Sequence, residues 1–575
     1  MNPLIQLKKA APVLLVALVC FGFLPTMQAV VPAPDGFYPS ANTAEGRDAL
    51  LNLTSGIGDT ALGHKALVHN TMGSRNVGTG TGALFSNTTG NDNTANGFQA
   101  LYLNTADENT ATGAFALHNN TGGSFNTANG AFALQVNTTG ERNTATGDSA
   151  MFSNTMGSRN TATGNAALGF NTTGSDNTAI GAGALFFNIA DRNTAVGVDA
   201  LESNTMGSNN AAYGYEALLH NTTGAQNTAN GVDALAFNTM GSNNTATGFI
   251  ALSSNTMGNN NTATGFQALN LNTAGNDNTA TGVNALVNNM IGSFNTAYGE
   301  NALAFNNGDN NTAVGYQALA GNTDGTINTA VGIDALDSNT HGAGNTAIGV
   351  NALLSNSTGD NNVAIGHNAL SGNVGGSGNI AVGLFAGDNL TTGSGNIDIG
   401  NEGVAGESGT IRIGVQGIQT AAFIAGIAGT NISGSTVMVN GSGQLGVAAS
   451  ARRFKKEINP MDKASEAILA FKPVTFHYKS DNTNTPQFGL IAEEVAKVDP
   501  ALVVRDKEGK PYTVRYDAVN VMLLNQFLKE HRTVLEQGAM IARQQKQIEA
   551  LTAGLQKVSA QLEASKPAPQ VVNNP

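Results

Sequence analysis

The sequence has no tryptophan, a single cysteine and 14 prolines, and only 6% of its 575 residues are aromatic and 12% charged. Each shortage excludes something. A chain of this length could hold several ordinary domains of ~150 residues, but one so poor in large rings cannot fill the cores of several globular enzymes. The one cysteine, Cys20, lies near the N-terminus, so no disulfide framework holds the rest together. Charge is scarce and uneven. From Val30 to Ala449 there are 7 Lys and Arg against 26 Asp and Glu, which excludes a basic nucleic-acid-binding surface. From Ser450 to Pro575 the balance reverses, 18 against 14, and the break near residue 450 marks a domain boundary. Disorder is also excluded, because 41% of residues are hydrophobic. What the chain does have is 71 glycines and a visible excess of Asn, Thr and Ala, the composition of a repeat.

Residues 1–29 read as a signal peptide. Lys8 and Lys9 give a positive start, Ala10 to Leu24 is apolar and short for a bilayer span, and Ala29 offers a small residue for cleavage. A lipid anchor on Cys20 is the rival reading, disfavoured by Val19 where a small residue is preferred. No later stretch is long and apolar enough for a membrane helix. The expected location is therefore secreted or cell-surface.

Asn143 to Arg159 reads NTATGDSAMFSNTMGSR, and Asn160 to Asp176 reads NTATGNAALGFNTTGSD. The pattern N-T-A-x-G-x-x-A-L-x-x-N-T-x-G-x-x recurs every 17 residues. Its fixed glycine runs from Gly46 and Gly63 through Gly164 to Gly400, making 22 units. Three steps are 16 residues, after Gly97, Gly181 and Gly299, each losing a residue in the turn-like second part, as in Asn104-Thr-Ala-Asp-Glu. A 17-residue unit is too short for a helix pair, and helices do not carry two fixed glycines per unit. Glycine and asparagine at fixed phase suit turns with positive φ. T-A-x-G suits a short strand, and the Ala-Leu pair, as in Ala184-Leu185, suits a narrow interior. The expected fold is all-β, a parallel β-roll or solenoid rod, with its asparagines stacked into hydrogen-bonded ladders. At one coil per ~4.8 Å it would reach roughly 105 Å. One coil buries little apolar surface, so lateral association of several rods is expected.

Units such as Asn177-Thr-Ala-Ile-Gly-Ala-Gly-Ala-Leu resemble the head repeats of YadA-like trimeric adhesins, over residues 42–400. That resemblance implies a left-handed parallel β-roll with three chains side by side. The adhesin repeat is shorter, and that family ends in a membrane β-barrel. Here the C-terminal pattern is helical, which does not support autotransport.

After Gly400 the phase is lost. In a β-rich junction, 401–449, Thr410-Ile-Arg-Ile-Gly, Ala422-Phe-Ile-Ala-Gly-Ile and Val437-Met-Val-Asn read as short strands. Further on, Lys463 to Phe471 suits a helix stopped by Pro473, and Val474 to Tyr478 a strand. Asp506 to Gly509 suits a hairpin turn between Leu502-Val-Val and Tyr512-Thr-Val. A helical pattern starts at Asp517. Val534, Ile541, Ile548, Leu555 and Leu562 are spaced by seven, with Leu551 and Val558 in the complementary position and Gln537 and Gln544 as polar layers. This predicts a coiled coil over 531–565, made imperfect by Gly538 and Gly554, against the alternative of an amphipathic helix docked on its own domain. Residues 566–575 read as a disordered tail.

The residues that could carry chemistry sit at the charge break: Ser450-Ala-Arg-Arg-Phe-Lys455-Lys456-Glu-Ile. A serine can be activated by a neutral lysine, and such a lysine needs a desolvated or electropositive setting, to which Arg452, Arg453 and Lys456 could contribute. A Ser and a Lys five apart mean little alone. Together with Gly443-Gln-Leu-Gly, Phe488-Gly-Leu-Ile-Ala-Glu-Glu-Val and Val514-Arg-Tyr, the segment 450–530 resembles the intramolecular chaperone domain of endosialidases and phage tail fibres, peptidase family S74. The resemblance implies a domain that trimerises, guides the upstream fibre into a homotrimer and then cleaves itself off. It makes Ser450 the nucleophile, Lys455 the general base, and Ala449–Ser450 the scissile bond. Ala451 departs from the Asp or Ser often found after the serine. Adjacent Glu493 and Glu494 read as a solvated face and His477 as packing or surface. No metal constellation, calcium nonapeptide or cofactor motif is present.

The resulting expectation is a secreted, adhesin-like homotrimeric fibre, matured by one self-cleavage and binding an unknown glycan or protein at a surface. A phage-type tail fibre is the alternative, against which the signal peptide counts. An ice-binding rod is a third, disfavoured because the Thr-x-Thr of Thr144 and Thr146 is broken elsewhere by Asn, Val, Ile or Tyr.

Overall fold

The computed structural model describes residues 39–424, 437–440, 442–447, 449–506 and 508–566. The signal peptide and the tail beyond residue 566 lie outside these residues; of the strand expected at Ala422, residues 422–424 are not in a strand and the rest lies outside the described residues. The chain divides into two compact units, Met1–Ala428 and Gly429–Pro575.

The first unit is the expected solenoid. Each T-A-x triplet is a three-residue strand, and consecutive strands pair parallel and in register across one coil, as in Thr144↔Thr161, Ala145↔Ala162 and Thr146↔Thr163. The middle alanine points inward and its two neighbours outward, which is the two-residue period of a strand. With the Ala-Leu pair it forms a continuous apolar interior: Ala162, Ala167 and Leu168 are fully buried, and so are their apolar equivalents in the coils after the first. Met151 takes the place of Leu in one coil.

Two columns of buried asparagine complete the interior. In one, each Asn accepts from the next coil's backbone and donates to a backbone carbonyl, in most coils a glycine's. Asn160 N–H donates to Asn143 Oδ1 at 3.0 Å, and Asn160 Nδ2 to Gly174 O at 2.8 Å. In the other, the amides donate to one another: Asn154 Nδ2 meets Asn137 Oδ1 at 2.7 Å and Gly157 O at 2.9 Å. A buried amide is costly unless satisfied, and stacking identical coils satisfies it. Asp59 stands in the first column as an acceptor only, receiving Asn76 N–H at 2.8 Å and Asn70 Nδ2 at 3.0 Å. In the 16-residue coils the two columns come within reach of each other, and Asn109, Asn193 and Asn311 donate to Asn104, Asn188 and Asn306 at 3.1–3.3 Å. The missing residue is thus absorbed at one corner.

The turn residues differ from expectation. The ladder asparagines do not adopt positive φ. The left-handed backbone falls on the fixed glycine and on non-glycine positions, including the interior leucine: Leu168 has φ 53°. The strain, of order 1 kcal/mol, recurs in every coil and is offset by burial of that side chain and by its N–H bonding to Ala184 O at 2.9 Å in the next coil. Gly164 is obligatory for two reasons. Its φ is +139°, and a Cβ there would lie 2.4 Å from Gly181 O.

The solenoid also outlasts its sequence phase. Ile411–Ile413 pairs parallel with Ile397–Ile399, only 14 residues on, so the sheet has 23 strands and reaches past Gly400. Met438–Val439 forms a strand as expected, paired antiparallel with Leu445–Gly446.

The second unit is small and α+β. A 3-10 helix spans Asp462–Ala470 where an ordinary helix was expected. Val474–Phe476 pairs antiparallel with Gln487–Gly489, a short helix covers Ala492–Val498, and Val503–Arg505 pairs with Pro511–Val514. Val495, Leu502, Val503, Val514, Val519 and Met522 form the core. A 49-residue helix, Tyr516–Ala564, starts against this core and runs without a break through the heptad segment, past Gly538 and Gly554. Each glycine costs a long helix only ~1 kcal/mol. Among the described residues the heptad side chains are unpartnered: Val534, Ile541, Ile548, Leu555 and Leu562 are all at least 55% exposed.

Candidate functional site

Ser450 lies outside any regular element, and the chain then makes one 3-10 turn, Arg452–Phe454, closed by Phe454 N–H to Ala451 O at 3.0 Å and Lys455 N–H to Arg452 O at 3.1 Å. Extended backbone at Ala451 and Lys455 flanks the turn. This reversal carries the Lys455 side chain back over the serine, and Nζ lies 3.3 Å from Ser450 Oγ. A five-residue spacing that means little in sequence thus becomes a hydrogen bond. Arg453 lies over the Phe454 ring at 4.8 Å, a cation–π contact.

Ser450 and Lys455 are both exposed, as are Arg452, Arg453 and Lys456. Among the described residues no carboxylate forms an ion pair with Lys455. Ala449 and Ala451 are exposed too, and the Ala449–Ser450 bond is open to solvent.

Behind this segment the unit is tied together by polar contacts. Asn525 Nδ2 donates to the buried Ser465 Oγ at 2.7 Å, and Ser465 donates to Gln526 Oε1 at 3.1 Å, joining the 3-10 helix to the long helix. Tyr516 Oη accepts from Leu490 N–H at 2.8 Å. Gly489, in the Phe488-Gly motif, leaves room for that phenol, because a Cβ there would lie 2.8 Å from it. Glu493 and Glu494 occupy the first turn of the short helix, where carboxylates suit the helix dipole. They are exposed, as is His477. Among the described residues no group of His, Cys, Asp and Glu could hold a metal ion, and no helix is long and apolar enough to cross a membrane.

The other chemically unusual group lies at the end of the solenoid. Asp398 occupies the inward position of Ile397–Ile399 that alanine or Gly78 fills in the coils before it, is 1% exposed, and has no hydrogen-bond partner on either oxygen. Arg412 faces it in register but donates from Nε and Nη2 to the two carboxylate oxygens of Glu407, at 2.8 and 2.7 Å. Burial, with a smaller push from Glu407, raises the Asp398 carboxyl to about 6, against the pull of Arg412. Sequence reasoning passed over this cluster, although an acid where the repeat has alanine was a visible signal.

A family profile described as chaperone of endosialidase, Peptidase S74, matches residues 450–504. The match begins at Ser450 and ends inside the 450–530 segment that the motifs had suggested. The chain therefore carries a domain of the autoproteolytic intramolecular chaperone type, a type that acts in trimeric assemblies. No curated protein matches the chain.

Proposed function

We propose that this protein is a secreted or cell-surface homotrimeric fibre whose C-terminal domain assembles the trimer and is released by one self-cleavage at Ala449–Ser450. The observation that carries the reading is the 3.3 Å approach of Lys455 Nζ to Ser450 Oγ at the first residue of the family match. Neutral Lys455 takes the Oγ proton as Oγ attacks the Ala449 carbonyl carbon. The C–N bond breaks, the lysine returns the proton to the Ser450 nitrogen, and an ester joins Ala449 to Ser450 Oγ. Water then hydrolyses the ester, leaving an Ala449 carboxylate and a free Ser450 hydroxyl and amine. In a single chain the pair is exposed, and packing of partner copies would exclude water from it. The unpartnered heptad of the long helix supports a coiled coil between those copies. The solenoid, similar to YadA-like heads in its repeat, would be the displayed adhesive part, and residues 1–29 the export signal.

The test is intact mass of the expressed protein. Wild type should give a fragment of 126 residues beginning at Ser450, and Ser450→Ala or Lys455→Ala should leave the chain whole. Cleavage that persists in Ser450→Ala refutes the mechanism. A tail fibre whose solenoid binds a glycan is the second reading, favoured by the family match; failure of residues 1–29 to export a reporter would select it.

A further inference from the structure

Thr and x of each T-A-x strand share the outer face of the solenoid sheet, and the character of this face changes along the chain. In the strands from Thr94–Asn96 to Thr161–Thr163 it presents only Thr and Asn. A short run at Ile180, Val196 and Tyr213 interrupts, and the strands from Thr228–Asn230 to Thr279–Thr281 are polar again. From Val314 onward the third position is aliphatic in every strand, and from Val363 onward the first position is as well. Val363, Ile365, Ile380, Val382, Ile397 and Ile399 thus stack as two unbroken columns. The last strand continues them with Ile411 and Ile413, 66% and 74% exposed.

A flat, uncharged sheet face of β-branched residues is a liability unless something covers it. We infer that the face from Val314 to Ile413 packs against the same face of other copies of this chain, and that inter-copy packing of the sheet is confined to these last seven strands. This inference rests on the trimeric reading above. Three observations favour a second copy over another partner. The columns lengthen toward the domain whose family acts in trimeric assemblies. The face carries no charge that would select a partner of opposite sign. The rest of the solenoid is acidic, with 26 acids against 7 bases between Val30 and Ala449, so copies repel elsewhere and approach most easily through the neutral face.

The size of the face gives it a role. Seven strands at ~4.8 Å spacing and about 10 Å of width make on the order of 300 Å². A self-sufficient partner face brings about 800 Å². Alone, these strands would not recruit a second copy from dilute solution. They would pack once copies are already tethered and their effective concentration is high, so the pairing would start next to the chaperone domain in sequence. The Thr- and Asn-rich coils upstream would then stay solvated on this face.

Cysteine cross-linking of the full chain tests this, in a Cys20→Ser background with no other thiol. Ile365→Cys, Val382→Cys and Ile399→Cys each put a small apolar thiol in the column of third-position residues. Thr146→Cys and Thr264→Cys put one in the same column among polar strands. Equivalent residues of parallel copies about a symmetry axis come within disulfide reach only where the faces meet. Under copper-phenanthroline oxidation at least one of the first three should give a covalent dimer, at least fivefold more than either control. A chain that is trimeric by native mass but shows no cross-link at 365, 382 or 399 overturns the inference and leaves the assembly role standing. Equal cross-linking at 146 or 264 overturns the confinement to the last strands. A monomeric chain removes both the inference and the assembly role. A trimer that cross-links as expected but stays uncleaved removes only the self-cleavage.

Discussion

Asp398→Ala restores the alanine that nearly all the preceding coils carry at this position, and it removes a buried carboxylate with no hydrogen-bond partner. A carboxyl held at about 6, against an ordinary 3.8, prefers its neutral form in the folded chain. At pH above 6 the folded state must keep the ionised form, at a cost of about 3 kcal/mol relative to the unfolded chain. The sign follows. The stability is fully present below about pH 4 and is lost as pH rises through 6. Glu407, held below its usual range by Arg412, works in the opposite direction but only at more acid pH, so the window from 4.5 to 7.5 isolates Asp398. A solenoid is quasi-one-dimensional, so the cost falls on the terminal coil and not on the whole rod. Hydrogen exchange of the peptide 397–413 is therefore the assay. In wild type its protection should fall as pH rises across the window, after correction for intrinsic exchange. In Asp398→Ala it should be flat and higher at pH 7.5 by up to about a hundredfold, the factor that ~3 kcal/mol allows. The same pH dependence in both proteins would refute the reasoning.

Other consequences are equally direct. Gly164→Ala forces a side chain into φ +139° and against the Gly181 carbonyl, and should destabilise its coil by about 2 kcal/mol or more, read as new proteolytic nicking near that coil. Asn154→Ala removes two donated bonds and the one accepted from Asn171. It leaves buried partners unsatisfied, at about 3 kcal/mol, and should lower exchange protection in the coils on both sides. Tyr516→Phe loses the 2.8 Å bond from Leu490 N–H and should lower the stability of the second unit by about 1 kcal/mol, measured by thermal unfolding, with the solenoid unaffected.

Much of this protein is written in one dimension. A 17-residue period with two glycines, two asparagines and an Ala-Leu pair leaves a coil as the one economical arrangement. The parallel in-register strands, the Ala and Leu interior and the asparagine ladders all follow from stacking it. The heptad from Val534 to Leu562 reads as a helix in the same way, because a period of residue types is a local property. Other features needed three dimensions. The left-handed φ of Leu168 has no signature in leucine itself and recurs at the equivalent leucines of the other coils. The strand Ile411–Ile413 joined the sheet after the period had ended, because an exposed strand edge accepts any extended segment of suitable length. Ser450 and Lys455 were named from motif order, but their meeting depends on the 3-10 turn between them, and a turn is set by backbone hydrogen bonds that residue types do not show. In the sequence Asp398 shows only as an acid where the repeat has alanine. Only its place inside the coil, beneath an arginine already bound to Glu407, gives it a proton affinity near neutrality, because burial and partner choice are properties of the folded neighbourhood and not of the residue.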